Sequence, residues 1–167
     1  VYDLPLTVMQ VLKLESDETI GTLIGWANHP ETLWSKNLLI TSDFPHYVRE
    51  AVENGIYAND SLIMDGLGGT AIYINGAIGG LMTTLPDFPV KDPWSDRVYL
   101  KPDFDKAESQ GKQIAFHALK ALYESNDIVI SGGIGLSAKT FDLPLENPLF
   151  KLGAALGILN RGYSKWN

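Results

Sequence analysis

Residues 19–27 (TIGTLIGWA) form an apolar run rich in β-formers that stops abruptly at Asn28-His29-Pro30-Glu31. An apolar strand, a polar stop and a proline turn together deliver an imidazole to the rim of a sheet. The preceding segment, residues 6–14 (LTVMQVLKL), alternates apolar and polar positions, and Ser16-Asp17-Glu18 lies between the two. The pair therefore reads as a β-hairpin whose second strand ends on a histidine.

The next segments alternate in type. Residues 33–41 are a connector holding one short apolar stretch, Leu38-Leu39-Ile40. Thr41-Ser42-Asp43 then opens a helix. Ser42 or Asp43 can cap it, and Pro45 sits in the first turn, where a missing N–H costs little. Phe44, Val48, Ala51 and Val52 follow helical spacing up to an Asn54-Gly55 stop. Residues 70–74 (TAIYI) have almost no polar break and predict a central, buried strand. They enter a glycine-rich loop, residues 75–84 (NGAIGGLMTT).

Residues 85–102 contain four prolines and several aspartates and read as a long surface excursion. Residues 103–125 are the clearest helix, capped by Asp103, with Ile114, Ala118, Ala121 and Leu122 as its apolar face. Residues 127–131 and 134–143 read as strands, and residues 149–159 as either helix or buried strand. This order predicts a layered α/β domain, a mixed β-sheet with flanking helices. The 167 residues are enough for one domain with a sizeable core. The start at Val1-Tyr2-Asp3, without Met, reads as a piece of a longer protein or as a processed product.

Composition removes several chemistries. The chain has no cysteine, which excludes disulfides, Cys-ligated zinc and thiol catalysis. Net charge is −7 and the basic residues are scattered, so no positive stripe exists to meet nucleic acid. No apolar run approaches the roughly 18 residues of a membrane span, and no signal peptide is evident. Asn59-Asp60-Ser61 matches a glycosylation sequon, which matters only in a eukaryotic secretory setting.

His29 is the leading candidate for chemistry, as metal ligand or general base. A structural histidine bonding a carbonyl at the strand end is the other reading. Glu31 can orient its ring or sit solvated in the turn. His46 pairs with Glu50 at helical spacing, and His117 falls on the apolar side of the long helix, as a packed histidine. In the glycine loop, clustered glycines permit close backbone approach, and exposed N–H groups can hold an anion or oxyanion. The spacing of Gly76, Gly79 and Gly80 fits neither a phosphate loop nor a dinucleotide loop. Asp43 is explained by capping, with a role near His29 open if both lie at one sheet rim.

Three stretches in order, GTLIGWANHP (21–30), ITSD (40–43) opening a helix, and AIYIN (71–75) leading into glycines, resemble the neutral/alkaline non-lysosomal ceramidase family. The likeness covers roughly residues 5–85. It implies an α/β catalytic domain that hydrolyses a lipid amide, N-acylsphingosine in type, with one Zn2+ held by two histidines, a glutamate and a tyrosine. His29 matches the second zinc histidine. The other ligands are then expected before Val1 and after Asn167. The family loop reads Gly-Asp-x-Ser-Pro, with a serine implicated in catalysis. Here Met82 stands at that serine position, and Thr83 and Thr84 are adjacent hydroxyls out of register.

The resemblance thus nominates Gly79, Gly80 and Thr83 as catalytic-loop residues and Asn75 and Gly76 as substrate-binding. It implies a secreted or periplasmic protein and admits contact with a membrane surface. A relative that has lost the loop serine and binds lipid or glycan without catalysis is the alternative.

Overall fold

The computed structural model describes residues 5–78, 84–125, 133, 135–140, 144 and 146–159. The chain divides into two units, Val1–Asp127 and Ile128–Asn167. The fold is α/β.

The first unit is built on a three-stranded mixed sheet. Strands β1 (Thr7–Leu12) and β2 (Thr19–Trp26) form the expected antiparallel hairpin. Its turn is closed by Lys13 N–H donating to Glu18 O at 2.8 Å, with Asp17 in the left-handed region at φ 53°. Helix α1 (Phe44–Asn54) follows and stops at Gly55, whose φ of 98° favours glycine and whose N–H closes on Ala51 O. A small hairpin of β3 (Ile56–Ala58) and β4 (Ser61–Met64) comes next. Its two-residue loop, Asn59-Asp60, has positive φ at both positions (49° and 60°), as a type I′ turn requires. The sequon is therefore also a hairpin turn.

Strand β5 (Thr70–Asn75) pairs with β2 in parallel, so the sheet order is β1-β2-β5. The expectation that residues 70–74 are central and buried is corrected here. β2 is central and β5 is an edge of this sheet. Its residues alternate, with Ala71 buried under α1 while Ile72 and Ile74 stay half exposed. An unbroken apolar run carries no phase, so it could not reveal which face was covered.

The excursion contains a short hairpin, β6 (Val90–Lys91) with β7 (Val98–Tyr99). Helix α2 (Phe104–Glu124) is capped by Asp103, which accepts from Lys106 N–H at 2.8 Å. Its buried side is Ala107, Gly111, Ala115, Ala118 and Leu119, rotated from the expected face, and Ala121 is exposed. Gly111 explains the phase. A Cβ there would lie 2.6 Å from Tyr47 Cβ and 2.7 Å from Phe44 O, so α1 crosses α2 at a point only glycine can occupy. His117 is correspondingly exposed, not packed in the core, and stacks edge-on against Phe116.

The core lies between one sheet face and the two helices. Ile24, Phe44, Val48, Val52, Ile56 and Leu119 are fully buried. Burying a side chain such as Phe44 contributes about 2–3 kcal/mol. Phe44 also meets the Tyr73 ring edge-on at 5.8 Å, which locks the start of α1 over β5.

In the second unit, helix α3 (Pro148–Ala155) is capped by the Asn147 side chain and buries no residue. The open choice for residues 149–159 is thus answered as helix. Residues 135–140, expected in a strand, carry no regular structure. The expected strand at 127–131 lies outside the described residues. No helix among the described residues is long and apolar enough to cross a membrane.

Candidate functional site at the ends of two parallel strands

Strands β2 and β5 run in register from Gly21↔Thr70 to Trp26↔Asn75. The ladder continues one step, because Gly76 N–H donates to Trp26 O at 3.2 Å and Tyr73 Oη–H donates to the same oxygen at 3.1 Å. The segments carrying His29 and the glycine loop therefore leave the sheet side by side. The carboxyl ends of parallel strands are where open α/β sheets present ligand-binding groups. Burial pushes the Tyr73 phenol well above its ordinary range, so it remains a donor at neutral pH.

His29 sits at this rim, its side chain about one-quarter exposed. Its Nδ1 lies 3.6 Å from Glu31 Oε1, too long for a direct hydrogen bond, with Glu31 N–H donating to His29 O at 2.9 Å. A carboxylate beside one ring nitrogen is the arrangement that leaves the other nitrogen to ligate or take a proton.

Asp43 is 4% exposed and holds the loop that follows His29. Its Oδ1 accepts from Thr32 N–H (3.0 Å) and Phe44 N–H (2.7 Å), and its Oδ2 from Leu33 N–H (2.9 Å). Thr41 Oγ1 in turn accepts from Asp43 N–H at 3.0 Å. Capping is therefore only part of its work. The same carboxylate closes residues 32–43 into a loop. The backbone there is strained, at φ 57° and ψ −149°, a region costing about 1–3 kcal/mol. Three hydrogen bonds to a buried anion offset that cost. No hydrogen bond or ion pair joins Asp43 to His29 among the described residues. Asp43 thus shapes the rim without touching the imidazole.

Residues that sequence reasoning did not single out complete the frame. Gln110 of α2, 9% exposed, accepts at Oε1 from Thr32 Oγ1–H (2.7 Å) and Thr84 Oγ1–H (2.9 Å). One amide oxygen thereby ties the His29 loop and the end of the glycine loop to the long helix. Asn28 Oδ1 and Trp26 Nε1 are buried beside His29 with no hydrogen-bond partner among the described residues. Nothing local in the sequence marks Gln110, whose partners lie 78 and 26 residues away.

A groove of about 550 Å3 adjoins the turn, lined by the apolar Pro30, Leu33, Trp34, Leu39 and Ile40 and by the polar Glu31, Ser35, Asn37, Thr41 and Asp43. Leu38 and Ile40 stand almost fully free of the protein, at 94% and 106% exposure. Trp34 adopts a left-handed φ of 57°. The connector is thus an apolar wall, not a neutral link.

Of the expected site residues, His29, Asn75, Gly76 and Asp43 share one end of the sheet. Asn75 and Gly76 are exposed, though the Gly76 N–H is engaged in the ladder. Gly79, Gly80, Met82 and Thr83 lie outside the described residues. His46 pairs with Glu50 at 3.5 Å on the surface of α1, as expected.

His29 is suited to be one ligand of a metal, with its ring partly exposed and a carboxylate beside Nδ1. No group of three or more His, Cys, Asp or Glu side chains that could hold a metal occurs among the described residues. These residues alone do not compose a zinc centre, which needs three protein ligands or four. No protein-family model matches the chain, and comparison with curated proteins and with solved structures gave no significant match.

Proposed function

We propose that the chain contributes one wall of the active site of a ceramidase-like, zinc-dependent hydrolase acting on a lipid amide. The observation that carries this reading is that the strand-end His29 directly precedes Pro30 and Glu31, which line a groove with Leu33, Trp34, Leu39 and Ile40 as its apolar part. A lipid amide needs both: a polar centre for the amide and an apolar surface for the acyl chain. The ceramidase resemblance of roughly residues 5–85 supplies the metal and the reaction class.

When bound, zinc supplies an activated water and polarises the amide carbonyl. His29 would hold it through the nitrogen facing away from Glu31, and Glu31 would orient the ring. Trp34, Leu39 and Ile40 would take the acyl chain, and Asn75 would hydrogen-bond the amide end of the substrate. Gly79, Gly80 and Thr83 remain the candidates for the catalytic loop. The reading places the protein outside the cell or in a periplasm, where such lipids meet it at a membrane surface.

A second reading rests on Met82. With a thioether where the family carries serine, the protein would bind lipid or glycan without hydrolysing it. Release of fatty acid from a short-chain N-acylsphingosine by the full-length protein tests the first reading. Activity lost to a chelator and restored by zinc is the expected result. Bound zinc without hydrolysis of any acyl amide favours the second reading, and neither zinc nor hydrolysis overturns the first.

A further inference from the structure

A second cleft lies between the β6–β7 hairpin, the β3 strand and the first turns of α2. It holds about 180 Å3, below the roughly 300–1,000 Å3 of sites for drug-sized ligands. Three aromatic residues line it: Tyr57, Trp94 and Tyr99. Tyr57 is half exposed, whereas Trp94 is fixed on two sides. Its ring stands edge-on to Phe116 at 5.9 Å, and its backbone N–H donates to Asp92 Oδ1 at 2.9 Å.

The charges lining the cleft sort into engaged and unengaged groups. Lys112 Nζ pairs with Glu108 at 2.6 Å and donates to Tyr57 O at 2.9 Å. The Asp92 carboxylate accepts from Trp94 N–H and from Ser95 Oγ–H. Asp105 and Arg97 remain, both exposed and neither in an ion pair among the described residues. One accepts hydrogen bonds only and the other donates only, and their charges cancel.

This combination selects a ligand class. A polyanion would face three carboxylates, Asp92, Asp105 and Glu108. An organic cation would meet Arg97 and Lys112. A purely apolar ligand would desolvate Asp105 and Arg97 without recompense. A neutral ring carrying hydroxyl groups satisfies every condition. Its hydroxyls donate to Asp105 and accept from Arg97, while its C–H face packs on an aromatic ring. The volume suits one ring. We propose that this cleft is a carbohydrate subsite for a single pyranose unit. It is independent of the lipid-amide reading and shares no residue with the groove beside His29.

Saturation-transfer NMR tests it on the full-length protein. The probes are methyl glucopyranoside, methyl mannopyranoside, methyl galactopyranoside and N-acetylglucosamine, with glycerol as the acyclic control. At least one pyranoside should bind with a millimolar Kd, and glycerol should not. Either Tyr57→Ala, which removes a packing face, or Asp105→Asn, which removes a hydrogen bond to a charged group, should weaken that binding at least about tenfold. Both variants alter exposed side chains, and their thermal midpoints report whether they fold. His29→Ala should leave sugar binding unchanged. No binding by any pyranoside, binding equalled by glycerol, or binding undiminished in both variants would overturn the proposal.

Discussion

Two loops of the first unit are held by buried charges of opposite sign. Residues 32–43, beside His29, close on Asp43, an anion that accepts from three backbone N–H groups. The excursion of residues 85–100 closes on Lys106, a fully buried cation whose Nζ donates to Leu85 O (3.1 Å) and Leu100 O (3.0 Å). The anion ties backbone donors and the cation ties backbone acceptors. Buried N–H groups are rarely left unpaired, whereas carbonyls tolerate it somewhat better. The anionic clamp is therefore the costlier of the two to break, and it is the one beside the candidate site.

Removing the anion should have the largest effect. Asp43→Ala strands three N–H groups and gives no relief at φ 57°, where alanine is strained as well. We expect a loss of about 3–5 kcal/mol in a denaturant titration. A loss under 1 kcal/mol would mean that the three bonds contribute little. Lys106→Met keeps the volume and removes one of the two hydrogen bonds at each carbonyl, Leu85 O keeping Phe88 N–H and Leu100 O keeping Asp87 N–H, for an expected loss of about 1–2 kcal/mol. Hydrogen exchange should rise across residues 85–100 in that variant and stay unchanged across residues 32–43. Faster exchange in both loops would show that the clamps are not separate. Thr32→Val cuts the bond from the anionic loop to Gln110 and should cost about 1–2 kcal/mol.

The two clamps also flank groups that respond to alkali with opposite sign. Burial holds Lys106 below the usual lysine range, with Asp103 and Asp87 pulling it back. The unfolded chain therefore binds this proton more tightly, and stability from this group rises as pH climbs toward its unfolded value of about 10.5. Tyr73 is raised by burial, so the folded state keeps a proton that the unfolded chain loses near pH 10. Its contribution is complete below that pH and falls above it. Tyr73→Phe should cost only about 1 kcal/mol at neutral pH, for the bond to Trp26 O. It should also remove part of the alkaline decline measured above about pH 10. An unchanged slope would contradict a buried, proton-retaining phenol.

The asymmetry between the clamps is also an asymmetry of legibility. Asp43 could be placed from the sequence because a capping aspartate acts on its own neighbours. Its reach to Thr32 and Leu33 spans 11 and 10 residues and has no local signal. Lys106 gave no signal, since a lysine in a helix reads as solvated until two distant carbonyls converge on it. The β1–β2 hairpin, α1 and α2 were legible from alternation, caps and stops. The β3–β4 hairpin was not legible, although Asn59-Asp60 offers the turn chemistry, because strands of 3 and 4 residues are too short to show a period. The face of α2 was misplaced because apolarity was weighed over size, and Gly111 set the contact. At the site, the strand-end placement of His29 was legible. The apolar groove beside it was not, because a connector has no period to betray which side chains stay exposed.

The account centres on His29 as a metal ligand at the end of β2. Zinc content of the purified full-length protein, set against His29→Ala, tests that most directly. The prediction is about one zinc per chain in the parent protein. The variant should lose it while keeping the parent's far-UV circular dichroism, and its thermal midpoint should match that of the zinc-stripped parent, because a partly exposed side chain at the rim contributes little to folding. No zinc in the parent protein, or the same zinc content in His29→Ala, would contradict it.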